Sequence, residues 1–184
     1  RGNSYIDVPF VISSNKSTAH SVSVWIRFRN APTSHATIIS QSIPHDSNSL
    51  YLLIATVTGR IYNWKKSYAL LPAGWDNGKW HHIVYVHPAN GGKLDDRFYS
   101  DGVRLATLAD TGEWQEFTKT WRIGDNSRST HPFDGMIDEV RVYSRELSNS
   151  EVLQIYQGEL VASCTDADND TYYAYDAARC QAGN

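Results

Sequence analysis

Cysteine is nearly absent: the 184 residues hold two, Cys164 and Cys180. A chain with none before position 164 is not a disulfide scaffold, so its main body must be held by a hydrophobic core. Methionine occurs once and long helical patterns are few, which argues against a helix bundle. No run of lysine and arginine appears, and the net charge of -3 spreads over both signs. Nucleic acid is therefore not an expected partner. The longest apolar stretch, LYLLIATV at 50 to 57, falls far short of the ~20 residues of a membrane-spanning helix. The chain begins without methionine or a signal peptide, as expected for a fragment of a longer protein or a mature secreted form.

What is abundant is aromatic: six tryptophans and eleven tyrosines, a composition suited to pleated sheets. In SVSVWIRF, residues 21 to 28, Val22, Val24, Ile26 and Phe28 fall on one face and Ser21, Ser23, Trp25 and Arg27 on the other, the pattern of a half-buried strand. IVYV at 83 to 86 is apolar on both faces and belongs in the middle of a sheet. Asp101-Gly102 between FYS and VRLA spells a tight hairpin, and Asp76-Asn77-Gly78 another turn before Trp80. Strands at this spacing predict two antiparallel sheets packed face to face.

The run FDGMIDEVRVYSRELSNSEV, residues 133 to 152, is the densest in information. Strict alternation puts Met136, Asp138, Val140 and Val142 on one face and Glu139, with Arg141 or another base as its surface partner, on the other. A carboxylate among valines costs several kcal/mol unless a cation or backbone amides compensate it. Calcium is the natural cation in a secreted domain, and the alternative is a set of amide donors across the sheet. Ser148 followed by Glu151 is a capping box opening a helix of about two turns with Val152, Leu153, Ile155 and Tyr156 as its apolar stripe.

Five segments in order, NSYIDVPF (3 to 10), SVSVWIRF, GKWHHIVYV (78 to 86), RFYSDGVRLAT (97 to 107) and RIGD leading into FDGMIDEVRVYSREL (122 to 147), resemble the laminin-G-like or concanavalin A-like family. The resemblance implies an all-β, two-sheet antiparallel jelly-roll sandwich with one short C-terminal helix over residues 1–161. In related jelly rolls an acid at the position of Asp138 holds a structural calcium together with main-chain oxygens near the first strand. That implies Gly2 or Asn3 as further ligands here.

Residues 162–184 change character. Asp166, Asp168 and Asp170 follow the 1, 3, 5 spacing of a calcium loop, with Tyr172 placed to offer a carbonyl and Asp176 a final acid. The segment resembles an EF-hand-like loop or a thrombospondin type 3 repeat, but Thr171 stands at the usual glycine and Ala177 at the usual last acid. A solvated acidic linker is the other reading. Cys164 and Cys180 bracket the loop and favour a disulfide in an oxidising compartment.

Catalysis finds little support. No E-x-D-x-x-E run exists, and adjacent Asp95 and Asp96 read as hairpin decoration. His81, His82 and Tyr85 offer the residue types of lyases on this fold, yet Trp80-His81-His82 resembles what its noncatalytic modules carry. The other histidines, His20, His35, His45, His87 and His131, read as surface or turn residues.

Binding is the stronger expectation: sugars stack on exposed rings beside polar groups. Trp64, Trp75 and Trp114 lie at strand ends or in loops, near Asp76, Asn77, Asp125, Asn126 and Arg128. Trp25, Trp80 and Trp121 sit in strand patterns and read as packing residues. Two classes follow: a glycan- or polysaccharide-binding module of a larger secreted or cell-surface protein, or a calcium-stabilised module that adheres to a surface protein or acts as a spacer. A solvent-facing aromatic platform would favour the first.

Overall fold

The computed structural model describes residues 5–9, 18–41, 50–55, 58–63, 67–90, 94–109, 120–125 and 131–158. Two antiparallel sheets form the sandwich. The five-stranded sheet runs β12 (Gly135–Tyr143), β2 (His20–Phe28), β7 (His81–His87), β8 (Arg97–Ser100) and β9 (Val103–Leu105). The seven-stranded sheet runs β1 (Ile6–Val8), β11 (Trp121–Ile123), β3 (Ala36–Gln41), β4 (Leu50–Ala55), β5 (Arg60–Asn63), β6 (Ser67–Leu70) and β10 (Leu108–Ala109). The predicted fold class is thus observed, and so is the single helix among the described residues, α1 (Asn149–Gln157).

The alternation of β2 holds as read: Val22, Val24, Ile26 and Phe28 are buried in the core with Ile83, Tyr85 and Phe98 from the same sheet and Ile38, Ile61, Ala69 and Trp121 from the other. The opposite face of β7 is buried too. There Val84 and Val86 join Tyr99, Leu147, Val152 and Ile155 in a second cluster beneath α1. This is why IVYV is apolar throughout: one side meets the opposing sheet and the other meets the helix. Ser148 caps α1 by accepting from the Glu151 amide at 3.2 Å, and Glu151 Oε2 accepts from the Ser148 amide at 2.8 Å. Gly158 ends the helix with a left-handed φ of 73°. The Asp101-Gly102 turn has φ values of 50° and 78°, the two positive angles its hairpin requires.

Strand β12 departs from strict alternation. Asp138 pairs with Trp25 and Arg141 with Ser23, so Glu139 and Val140 together oppose Val24 in a β-bulge. Glu139 takes a left-handed φ of 51°, which costs on the order of 1–3 kcal/mol. The extra residue flips the parity. Ile137, Val140 and Val142 pack against the core, whereas Met136 and Asp138 lie on the outer side opposite Arg27 and Trp25. The expectation that Asp138 shares a face with the two valines is therefore corrected: its side chain is exposed, and Oδ1 accepts from the Glu139 amide at 2.8 Å. Glu139 does pair with Arg141.

Two sheets are also joined through a buried polar bridge. Asp96, fully buried, receives Ser67 Oγ from β6 at 2.5 Å and lies 2.8 Å from His87 Nδ1 on β7. Its own carbonyl accepts from Thr107 at 2.6 Å. Asp96 is thus an inter-sheet anchor rather than hairpin decoration. His20 and His87, expected at the surface, are fully buried beside Tyr85 with their rings 5.1 Å apart. His87 satisfies its polarity on the Asp96 carboxylate and His20 Nδ1 lies 3.1 Å from the Thr18 carbonyl oxygen, partners that let an imidazole be buried and that strand-end positions do not disclose.

Two outcomes are expected. Asp96→Ala, which strips buried Ser67 and His87 of a shared acceptor, lowers unfolding free energy by about 3–5 kcal/mol in urea titrations. Gly135→Ala places a Cβ against the Arg27 carbonyl and 2.8 Å from the Phe133 ring, and loses about 1–3 kcal/mol by the same measurement.

Candidate functional site

Among the described residues helix α1 covers only part of the outer face of the five-stranded sheet, and what it leaves open there is the candidate site. Pairing across β12, β2 and β7 lays out its rows. In one, Asp138, Trp25 and His82 stand side by side. In the next, Met136 faces Arg27, and because His81 pairs with Ile26, the alternation puts Trp80 at the third place of that row. Met136 is 52% and Trp80 38% exposed, and Arg27 and Asp138 are exposed as well. These values decide the matter for Trp80. The expectation that it packs inside is corrected, because it stands at the margin of the sheet, one residue before β7 and beyond the cover of α1.

The inner wall of this strip is aromatic. Trp25 stacks on Tyr156 of α1 with centroids 5.8 Å apart and 21° between planes, and lies 5.1 Å from the His82 ring. His82 is buried and its Nε2 meets Ser23 Oγ at 2.8 Å. Burial pushes its pKa down to about 4, with Asp101 opposing and Arg141 adding to the shift. Glu151, at the foot of α1, is pulled down to about 2 by its hydrogen bond from Arg145 and by the Ser148 amide.

Beside Trp80 lies a polar rim. Asn77 Oδ1 accepts from the Lys79 amide at 2.8 Å and lies 3.3 Å from His81 Nε2. His81 Nδ1 meets Asp101 Oδ2 at 2.8 Å, and Asp101 Oδ1 accepts from the His82 amide at 2.8 Å. The turn of residues 72–79 is thereby tied to the β8–β9 hairpin. Asp76 and Asn77 are exposed there.

Trp75 is placed differently. It meets Phe28 edge-on with centroids 5.1 Å apart and packs against the core. A Cβ on Gly59 would come within 2.8 Å of its Nε1. Trp75 is a half-buried cover over one end of the core. Asp125, counted among the polar loop groups, is fully buried. Trp64, Trp114, Asn126 and Arg128 lie outside the described residues, as do Gly2, Asn3, Asp166, Asp168, Asp170, Tyr172, Asp176, Cys164, Cys180 and His45. Among the described residues no three His, Cys, Asp or Glu side chains converge in a metal-binding group. For Asp138 the exposed position removes the burial argument for a cation. His82 and Tyr85 project to opposite sides of β7, one toward α1 and one into the core, so they do not form a His-Tyr pair.

The chain matches the family described as the Concanavalin A-like lectin/glucanases superfamily over residues 1–153, and it belongs to that family. No curated protein sequence matches it. Among solved structures, it is similar to a Ruminococcus gnavus IT-sialidase CBM40 bound to alpha2,3 sialyllactose, with a TM-score of 0.56 and 14% identity, covering 83% of this chain and 96% of that one. A Botulinum neurotoxin serotype D binding domain aligns with a TM-score of 0.54 and 17% identity over 87% and 41% of the two chains. A Trypanosoma rangeli sialidase in complex with sialic acid aligns with a TM-score of 0.51 and 17% identity over 76% of this chain. This chain spans 23% of the length of that sialidase. At these identities the likeness is one of fold.

The depressed His82 pKa predicts a pH dependence of stability. The unfolded chain takes up a proton at His82 near pH 6.5, whereas the folded chain resists until about pH 4. Between those values the unfolded state binds more protons, so stability falls as pH drops through the window. The loss reaches about 3 kcal/mol by its lower end. In His82→Gln this part of the slope disappears; equal slopes in both proteins between pH 6.5 and 4 would contradict the assignment.

Proposed function

We propose that this domain is a noncatalytic carbohydrate-binding module of a larger secreted or cell-surface protein. The observation that carries the reading is Trp80, a large ring 38% exposed at the margin of a sheet face that also offers Arg27, Asp138 and, from the adjacent turn, Asn77. A sugar places its apolar face on such a ring and its hydroxyls on flanking polar groups. Membership of a lectin-rich superfamily supports the class, and the CBM40 aligned with it is titled as bound to sialyllactose. The absence of a His-Tyr pair at His82 and Tyr85 and the structural engagement of Asp96 support a noncatalytic role.

Calcium and an extracellular setting belong to the same proposal. The acidic spacing of Asp166, Asp168 and Asp170, with Tyr172 and Asp176, supports a calcium loop closed by Cys164 and Cys180. The packed position of Trp75 favours the second reading, an adhesion or spacer module, at that turn, because it withdraws one of the rings a sugar would use.

The test is a glycan and polysaccharide array with calorimetric follow-up, run with calcium and after chelation. The expected result is binding of at least one glycan, weakened roughly tenfold or more by Trp80→Ala at unchanged melting temperature. Chelation is expected to lower the melting temperature while the fold persists. Absence of binding across the array would sink the carbohydrate reading and leave the adhesion or spacer module.

A further inference from the structure

We infer that the open strip takes a glycan ending in a single carboxylated sugar, with the Arg27 guanidinium receiving the carboxylate and the Trp80 ring the sugar's apolar face. This rests on the carbohydrate-binding reading and assigns its ligand class.

Five other arginines of the fold are held in ion pairs. Arg29 pairs with Asp134, Arg97 with Glu146, Arg122 with Asp7, Arg141 with Glu139 and Arg145 with Glu151. Arg27 and Arg104 have no carboxylate partner among the described residues, and of the two Arg27 stands in the row that carries Trp80. Its cross-strand neighbour is Met136 on one side, and the alternation beyond the Ile26–His81 pair puts Trp80 on the other; both are exposed and neither is acidic. Arg27 is exposed, so its donor fork is open to a ligand, and that fork matches the two oxygens of a carboxylate. The ring and the thioether on either side provide the apolar contact that a pyranose needs.

The surrounding charge selects a terminal acid over a polyanion. Asp138 is exposed in the next row, two residues along the strand, a rise of about 7 Å. A polyuronate would carry a second carboxylate toward Asp138, where like charges repel. A chain with one carboxylated sugar at its end places a single charge, compensated by Arg27, near Asp138 and so carries less of that penalty than a polyuronate, while the hydroxyls of its neutral sugars face the Asp138 carboxylate as donors. Only one Asp138 oxygen is engaged by the Glu139 amide.

The experiment is calorimetry on the full chain with three probes: α2,3-sialyllactose, lactose and an oligogalacturonate. Expected are binding of sialyllactose, at least about tenfold weaker binding of lactose and of the polyuronate, and loss of that preference in Arg27→Gln at unchanged melting temperature. Sialyllactose affinity should also decline as salt rises. If lactose binds as well as sialyllactose, or Arg27→Gln keeps the preference, the carboxylate assignment is overturned while carbohydrate binding stands. Tighter binding of the oligogalacturonate overturns the terminal-sugar assignment. If no glycan on the array and none of the three probes binds, the carbohydrate reading fails, and this inference with it.

Discussion

The β-bulge at Glu139 is the constraint on which both the core and the open face depend. One extra residue in the edge strand lets Ile137, Val140 and Val142 all turn inward while Met136 and Asp138 turn out. Without it, either the valines or Ile137 would face solvent. Each such inversion forfeits on the order of 1–3 kcal/mol of apolar burial, comparable to or larger than the left-handed backbone cost at Glu139. The bulge also twists an edge strand that would otherwise offer unpaired backbone groups to another chain, and the Glu139–Arg141 pair puts charge there. The composition of the strip is therefore a consequence of how the core is closed.

The second determinant is how much of the outer sheet α1 covers. Its nine residues suffice to bury Val84, Val86 and Tyr99. Tyr99 donates to Asn149 at 2.6 Å and Ser21 Oγ receives the Leu147 amide at 3.0 Å, which fixes the helix entry. The helix ends at Gly158, so cover stops at Tyr156 and its stack on Trp25. Beyond that point nothing among the described residues covers Trp80, Arg27 and Met136, and all three are exposed. At the other end of the sandwich Asp96 ties β6 to β7 through Ser67 and His87.

The sheets, hairpin and helix were legible because period-two patterns, Asp-Gly and Ser-x-x-Glu each report local backbone geometry. The family's five segments fall on β1, β2, β7, the β8–β9 hairpin and β11–β12 as expected. What the sequence did not disclose were properties decided by partners distant in the chain. The parity of Asp138 hinges on a bulge that no glycine marks. The burial of Asp96, His20 and His87 depends on Ser67 and on ring neighbours across strands. Trp80 looks like a strand residue from its neighbours, and its exposure depends on which described elements lie over the sheet margin, α1 among them, some seventy residues later. Trp75 errs the other way, since its loop setting hides an edge-on contact with Phe28. Arg27 could be placed outward from SVSVWIRF alone, but its lack of an acid partner among the described residues required knowing that Met136 lies opposite.

The most direct test of the central claim is a titration of the ¹⁵N-labelled chain with α2,3-sialyllactose, followed through the six tryptophan indole N–H resonances. The account predicts saturable shifts at Trp80, smaller ones at Trp25, and none at Trp121, which is 1% exposed. Saturable shifts at other indoles with Trp80 unmoved would place the ligand elsewhere and contradict the account.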